Sequence, residues 1–169
     1  TLLASSAASD VYKRQITGIA GKRGFCSVNI EKDMMNSEIG FGRRILQAFE
    51  DNGISFEHVP SGIDTMTVFV HQDEFMDKEQ NVVAAIHRLA KPDMIDIEGD
   101  LALIAVVGRG MRSTRGTAGR IFSALAHANI NVKMIDQGSS ELNIIIGVSD
   151  GDFENAIRAI YNMFVLVQL

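Results

Sequence analysis

The chain has 169 residues, of which 46% are hydrophobic and 22% charged, with a formal net charge of -5. This balance is typical of a soluble globular protein with one domain or two small ones, and it excludes a disordered chain. The acidic charge excludes the basic surface that nucleic acid or an anionic membrane would need. One cysteine excludes an internal disulfide framework and favours a reducing, cytoplasmic setting.

Residues 1–15 carry no assignable element. Residues 2–4 are too short for a signal-peptide core, and no basic residue precedes them. We expect this segment to be a tag or a joining artefact, either disordered or loosely helical. Three elements are predicted next: a short strand over 16–20, a turn over 21–24 and an alternating strand over 25–30.

A loop over 31–39 leads to a predicted helix. Four apolar residues at i, i+4, i+7 and i+8 give this helix one apolar face: Phe41, Ile45, Ala48 and Phe49. Strands are predicted over 54–59 and 65–71, with a turn over 60–62 between them. A second amphipathic helix follows, carrying Val82, Val83, Ile86, Leu89 and Ala90, and Pro92 stops it.

The second half repeats this order of elements. A short connector over 95–100, either irregular or partly extended, precedes an apolar strand, a glycine-rich turn, a helix and two further strands that end near Asp150. The last predicted helix, over 152–164, has the clearest periodicity, with Phe153, Ala156, Ile157, Ile160, Tyr161 and Phe164 on one face. Residues 165–169 form an apolar tail without an assigned role.

The two halves match at a constant shift of 76 residues. Gly40, Arg44, Ile45, Ala48, Ile54 and Gly62 coincide with Gly116, Arg120, Ile121, Ala124, Ile130 and Gly138. Because glycines recur at both turns, we interpret this as a true internal repeat. Two such units predict an α+β fold of two βαββαβ sandwiches, each an antiparallel sheet with helices on one face.

Three motifs of the second half strongly resemble the second ACT domain of aspartokinases: VGRGM at 107–111, GRIFSAL at 119–125 and QGSSE at 137–141. In the first half, NIEKDMMN at 29–36, GFGR at 40–43 and PSGID at 60–64 are similar to the branch whose inhibitors include lysine. Many other aspartokinases carry a Thr-Ser-Glu-type turn in place of PSGID. The resemblance covers residues 16–164.

The resemblance implies a C-terminal regulatory region of two ferredoxin-like ACT domains, the first inserted within the second. The first would span 22–92, and the second would combine 16–21 with 95–164. It also implies a homodimer formed through ACT domains. The N-terminal kinase domain, which makes aspartyl phosphate from ATP and aspartate, is absent from this chain. ATP and magnesium are therefore expected only in that missing domain, and no cofactor is expected here.

The residues themselves point to no catalytic centre. The glycine-rich stretch at 108–116 lacks the Gly-Lys-Ser/Thr of a nucleotide P-loop. The four histidines show no spacing typical of metal ligands, and Cys26 reads as a structural thiol. Four arginines near the glycine-rich stretch could hold an anion, face the missing domain or form a solvated rim: Arg109, Arg112, Arg115 and Arg120.

The sequence also contains residues that favour the binding of a free amino acid. A helix start offers N–H donors and a favourable dipole to the carboxylate of an amino acid, and residues 38–42 supply such a start. Glu57 and Asp64 could face it and hold ammonium groups. The resemblance assigns the effector to Met35, Gly40, Phe41, Gly42, Ser55, Phe56, Glu57, Ser61, Gly62, Ile63 and Asp64.

The sequence thus favours an amino-acid-binding module that gives feedback inhibition of aspartokinase by lysine, with threonine as a second candidate effector. The alternative is a stand-alone regulator with two ACT domains that controls another protein. The VGRGM and QGSSE motifs favour the first interpretation.

Overall fold

The structure is a computed structural model that describes residues 16–112 and 114–165. The chain forms two compact units, and the changes from one to the other lie between Arg23 and Gly24 and between Leu101 and Ala102. The middle unit, Gly24–Leu101, is called the first unit below, and the remainder is called the second unit. The expectations for residues 1–15 and 166–169 lie outside the described residues.

The first unit is built on four strands in the order β2-β3-β1-β4. Its elements are β1 (Gly18–Glu31), α1 (Phe41–Glu50), β2 (Phe56–His58), β3 (Thr65–His71), α2 (Gln72–Met76), α3 (Glu79–Ala90) and β4 (Met94–Val107). Both β1 and β4 are long and continue into the second unit. Strand β1 pairs antiparallel with β3, from Phe25 opposite His71 to Glu31 opposite Thr65.

One face of this sheet packs against the two long helices. The alternation of β1 and β3 places Cys26, Val28, Ile30, Met66, Val68 and Val70 in one core cluster. The same cluster contains Phe41, Ile45, Ala48 and Phe49 of α1 together with Val82 and Ile86 of α3. The apolar face predicted for α1 is therefore confirmed.

The second unit follows the same plan, with strand order β1-β4-β6-β5. Its further elements are α4 (Thr117–His127), β5 (Val132–Asp136), β6 (Asn143–Ser149) and α5 (Phe153–Val165). Its core cluster joins Ile104 of β4, Ile121 of α4, Ile144 of β6 and Ile160 of α5. Ile16 and Ile19 pack against the same cluster, and the Thr17 N–H donates to the Val107 carbonyl oxygen at 2.8 Å.

The predicted fold class, α+β with antiparallel sheets and helices on one face, is confirmed. The repeat has a physical basis at the helix starts. Gly40 and Gly116 precede α1 and α4 in the left-handed region, with φ of 79° and 84°. This backbone conformation carries no steric cost for glycine, so both positions favour it.

Two interruptions that the sequence predicts next to strands are wrong. The turn expected over 21–24 lies inside β1, because Gly24 absorbs the irregularity with φ of 82° while the strand continues. The connector expected over 95–100 lies inside β4. There Asp100 adopts φ of 54°, and its N–H donates to Gln72 Oε1 at 2.6 Å. The short helix α2, which carries Gln72, was not predicted.

Candidate amino-acid effector site

The start of α1 is a candidate anion-binding position, where the Phe41 N–H already donates to the Glu38 carbonyl oxygen at 3.2 Å. Gly40 precedes the helix without a side chain to cap it, and the first turn contains no acidic residue. The Phe41 side chain points into the core, and Met35 is buried beside the same cluster. The first-turn N–H groups of a helix carry partial positive charge, and that charge attracts carboxylates. The local sequence therefore leaves this helix start without a side-chain cap, as the predicted site requires.

The turn before β3 is linked to the first turn of α1 through Met66. A Cβ added at Gly42 would lie 3.8 Å from Met66 Sδ, and Met66 forms a β-bridge with Ser61. The Gly62 N–H donates to the Thr65 carbonyl oxygen at 2.7 Å, which closes the turn. The structure thus brings Gly42 close to Met66, the residue that bridges Ser61 in the turn that also contains Gly62, Ile63 and Asp64.

Gly62 has a steric reason to be glycine. A Cβ at this position would lie 2.7 Å from Thr65 Oγ1, which is closer than real Cβ contacts allow. The side chains beside it are exposed: Ile63 is 71% exposed, and Asp64 also faces solvent. The Asp64 carbonyl oxygen accepts a hydrogen bond from the Lys32 N–H at 2.9 Å, so the turn is tied to the end of β1.

Charged side chains brace the loop before α1. Lys32 Nζ donates to the Lys91 carbonyl oxygen at 2.9 Å and lies 3.4 Å from Glu38 Oε2. Glu38 also pairs with the Arg44 guanidinium. Arg44 Nη1 donates to the Ile39 carbonyl oxygen at 3.1 Å. These contacts hold the helix start in place and neutralise the Glu38 carboxylate that lies near it.

Glu57 is placed differently from the sequence-based expectation. Its Oε2 lies 3.7 Å from His71 Nε2, at the end of β3 opposite Asp64. Ser55 and Phe56 lie with Glu57, and Phe56 pairs with Val70. A seven-residue strand spans about 20 Å. The structure therefore does not bring Glu57 to the helix start, where Asp64 is the acidic residue of the adjoining turn.

Sequence reasoning missed two residues that shape this site, Lys32 and Met66. Lys32 joins the end of β1 to α3 through its bonds with the Ala90 and Lys91 carbonyl oxygens. Met66 fills the space opposite Gly42. The alternation of β3 already placed Met66 on the helix-facing side, so it could have been found. The role of Lys32 depends on a contact 58 residues away, which no local pattern reveals.

The other sequence candidates remain outside this site. Arg109, Arg112 and Arg115 are exposed, whereas Arg120 lies over the Phe164 ring at 4.6 Å. Cys26 is buried in the core of the first unit. Within the described part of the chain, no three or more His, Cys, Asp or Glu residues form a group that could hold a metal. No described helix is long and apolar enough to cross a membrane.

Comparison with known proteins identifies the family. A family model described as an ACT domain matches residues 104–164. Aspartokinase 3 of Bacillus subtilis strain 168 is 46% identical over 151 residues, which are 88% of this chain and 33% of that protein. The chain is an ACT regulatory region of the aspartokinase type.

Solved structures agree with this assignment. The aspartate kinase of Clostridium acetobutylicum, an allosteric enzyme, shares 48% identity and a TM-score of 0.84 over 88% of this chain and 34% of its own. The regulatory subunit of aspartate kinase from Thermus flavus shares the fold, with 21% identity and a TM-score of 0.75 over 88% of this chain and 98% of its own. The ACT region spans about one third of the aspartokinases of B. subtilis and C. acetobutylicum.

Proposed function

We propose that this ACT region senses lysine and thereby gives feedback inhibition of an aspartokinase that phosphorylates aspartate with ATP. One observation carries the proposal. The start of α1 has no side-chain cap, and Gly42 of its first turn lies close to Met66, which bridges Ser61 in the turn that carries Asp64, so the helix start supplies N–H donors and Asp64 a carboxylate. A lysine zwitterion needs both. Threonine, which lacks the second ammonium group, is the second candidate effector.

In this proposal the α-carboxylate of lysine binds at Gly40, Phe41 and Gly42, and an ammonium group pairs with Asp64. The two glycines let the ligand approach the backbone closely. The role of Glu57 as an effector residue stays a prediction, because Glu57 lies beside His71 at the other end of β3. The remaining contacts come from the predicted set Met35, Ser55, Phe56, Ser61, Gly62 and Ile63.

Regulation follows from differential affinity. A ligand shifts a conformational equilibrium only by as much as it binds one state better than the other. We propose that lysine favours one arrangement of a homodimer formed through ACT domains, and that the kinase domain responds to it in the cytoplasm. The buried free thiol of Cys26 is compatible with a reducing compartment.

The proposed ACT bounds, 22–92 for the inserted domain and 16–21 with 95–164 for the other, are part of this proposal. The bond between Thr17 and Val107 supports the pairing of the first residues with the second half. So does the packing of Ile16 and Ile19 against the core cluster of the second unit.

The substitution Asp64→Ala tests the lysine site. Hydrogen bonds to charged groups contribute roughly 1.5–3 kcal/mol, so the loss of this carboxylate should weaken lysine binding by about tenfold to a hundredfold. Asp64 is an exposed turn residue, so we expect the fold to persist. Titration calorimetry with L-lysine on the purified chain and the variant measures the difference.

Glu50→Gln is the matched control. It removes an exposed acidic charge at the far end of α1, roughly 15 Å from the helix start. Lysine should bind this variant with unchanged affinity. If Asp64→Ala binds lysine as tightly as the parent chain, or if both variants weaken binding equally, the assignment of Asp64 is wrong.

A further inference from the structure

Three charged side chains of the first unit, Lys32, Glu38 and Arg44, form one network that is called the charge triad below. Lys32 Nζ lies 3.4 Å from Glu38 Oε2, and Arg44 Nη2 pairs with Glu38 Oε1. The side chains of Lys32 and Arg44 are only 20% and 22% exposed, so water screens their charges incompletely. One carboxylate between two cations leaves the triad with one excess positive charge.

Arg44 places that charge at the start of α1. A Cβ added at Gly40 would lie 3.5 Å from Arg44 Nη1, and the same nitrogen donates to the Ile39 carbonyl oxygen at 3.1 Å. The bonds to Ile39 and Glu38 engage two of the five N–H donors of a guanidinium. A guanidinium is also suited to a further carboxylate, such as one that binds at Gly40.

Lys32 is held in place by the end of α3. Its Nζ donates to the Ala90 carbonyl oxygen at 3.3 Å and to the Lys91 carbonyl oxygen at 2.9 Å. The last carbonyl groups of a helix carry partial negative charge and favour a cation. The Lys32 N–H also donates to the Asp64 carbonyl oxygen. Lys32 therefore neutralises Glu38 from a fixed position, and Glu38 does not cancel the charge of Arg44.

The internal repeat offers a comparison within the same chain. At the shift of 76 residues, Arg44 recurs as Arg120, whereas the positions of Lys32 and Glu38 are taken by Gly108 and Thr114. Arg120 lies over the Phe164 ring at 4.6 Å, and its Nη2 donates to the Met163 carbonyl oxygen at 3.4 Å. The arginine thus contacts the loop before its own helix in the unit that carries Lys32 and Glu38, and it contacts α5 in the other.

We propose that the charge triad sets the affinity of the lysine site described above, and this inference rests on that proposed function. Arg44 receives the α-carboxylate of the effector together with the N–H groups of the helix start. Lys32 is a positioning residue, which acts through Glu38 and keeps the charge of Arg44 available to the ligand. The single excess positive charge matches a single carboxylate.

The substitution Lys32→Met tests this role, because methionine keeps most of the side-chain length and removes the ammonium group. Glu38 and Arg44 would then neutralise each other. L-Lysine should bind this variant about tenfold more weakly than the parent chain in titration calorimetry. Arg44→Gln removes the cation that meets the carboxylate, and it should weaken L-lysine binding by at least about tenfold.

A double variant separates the charge of Lys32 from its bracing contacts. Lys32→Met combined with Glu38→Gln again leaves one excess positive charge, so L-lysine affinity should return to within about threefold of that of the parent chain. If Lys32 only braced the fold, the double variant would stay as weak as Lys32→Met, because the bonds to Ala90 and Lys91 are absent from both.

Glu38→Gln alone provides a test that leaves Lys32 and its bonds to α3 intact. Glutamine keeps an oxygen that accepts the Arg44 hydrogen bond, while the negative charge beside the helix start is lost. This variant should bind L-lysine at least as tightly as the parent chain does. It decides the question even if Lys32→Met fails to fold.

Lys78→Met is the matched control. Lys78 Nζ donates to the Gly53 carbonyl oxygen at 3.3 Å, just beyond the end of α1. The substitution thus removes the same charge and the same kind of bond roughly 15 Å from the helix start. L-Lysine should bind Lys78→Met with the affinity of the parent chain.

Three results would overturn the role of the triad and leave the lysine site itself in place. L-Lysine binds the parent chain and Lys32→Met equally, the double variant binds it no better than Lys32→Met, or Glu38→Gln binds it more weakly than the parent chain. If the parent chain does not bind L-lysine, the proposed function fails, and the inference about the triad fails with it.

Discussion

Cys26 is the single thiol of the chain, and it lies in the core of the first unit, 2% exposed. Burial raises the pKa of the thiol from its ordinary value of 9.0 to about 11, and the negative charge of Glu79 adds to the rise. Between pH 9.0 and about pH 11, the thiol has lost its proton in the unfolded chain but keeps it in the folded chain. The free energy of unfolding therefore falls as the pH rises through this window.

We expect the thiol to account for a loss of stability on the order of 1 kcal/mol at pH 10 relative to neutral pH. Urea unfolding of the parent chain and of Cys26→Ala, each measured across this range, isolates the effect. The variant has no thiol to titrate, so its stability should decline less steeply with pH. If the free energy of unfolding falls equally steeply with pH in the two proteins, Cys26 ionises alike in the folded and unfolded chain.

Single residues differ in how far their roles could be predicted. The special conformation of Gly40 could be inferred, because a glycine before an amphipathic stretch with a repeat counterpart at Gly116 predicts a common helix start. The position of Glu57 could not. Residues 57 and 64 are close in sequence, but the antiparallel pairing of β2 with β3 carries Glu57 to His71 and leaves Asp64 at the opposite end.

The first residues of β1 belong to the second unit and pack against α5. Arg23 lies over the Phe153 ring at 5.0 Å and is 3.7 Å from Asp150 Oδ2. Gly21 faces the same ring, because a Cβ added there would lie 2.5 Å from Phe153 Cε2. The absence of a side chain at Gly21 thus allows strand and helix to approach closely.

Gly21→Ala should therefore destabilise the second unit by about 1–3 kcal/mol through overpacking. Hydrogen exchange of the α5 amides measures this, and their protection should fall. Gly151→Ala is the control, since a Cβ at that glycine meets nothing within 4 Å in the same unit. Unchanged α5 protection in Gly21→Ala would mean that the strand does not brace the helix.

Elements with strong periodicity could be predicted, and those set by pairing could not. Strand β3 occupies the predicted residues 65–71, α1 has the predicted apolar face, and α3 buries Val82, Ile86 and Ala90 of its predicted face. The prediction failed at 21–24, where a turn was expected, and at 95–100, where a connector was expected. In the structure Gly24 and Asp100 adopt positive φ within continuous strands, and the Asp100 N–H donates to Gln72 Oε1, a contact that no local pattern reveals.

Several apolar side chains of the first unit are exposed in the single chain, which suggests that a second copy of the chain buries them. Ile39 is 96% exposed beside the start of α1, and Met34 and Ile63 are also exposed. The proposed homodimer would bury such side chains. We therefore expect light scattering to give a mass of about twice the 18.4 kDa of one chain.

Ile39→Asp should lower the dimer fraction without a cost in folding, because the side chain contributes little to the core. Met76→Asp changes an exposed apolar residue at the end of α2 and should leave the mass unchanged. A monomeric parent chain at micromolar concentration, with and without L-lysine, would contradict the proposed dimer.

An NMR titration of the ¹⁵N-labelled chain with L-lysine tests the proposed lysine site most directly. We predict that saturable shift changes concentrate at the amides of Gly40, Phe41 and Gly42 and at those of the turn from Ser61 to Asp64. The N–H groups at the helix start would move most, since the ligand's carboxylate binds there. An unchanged spectrum, or saturable changes confined to other residues, would contradict the claim that this ACT region binds lysine at the start of α1.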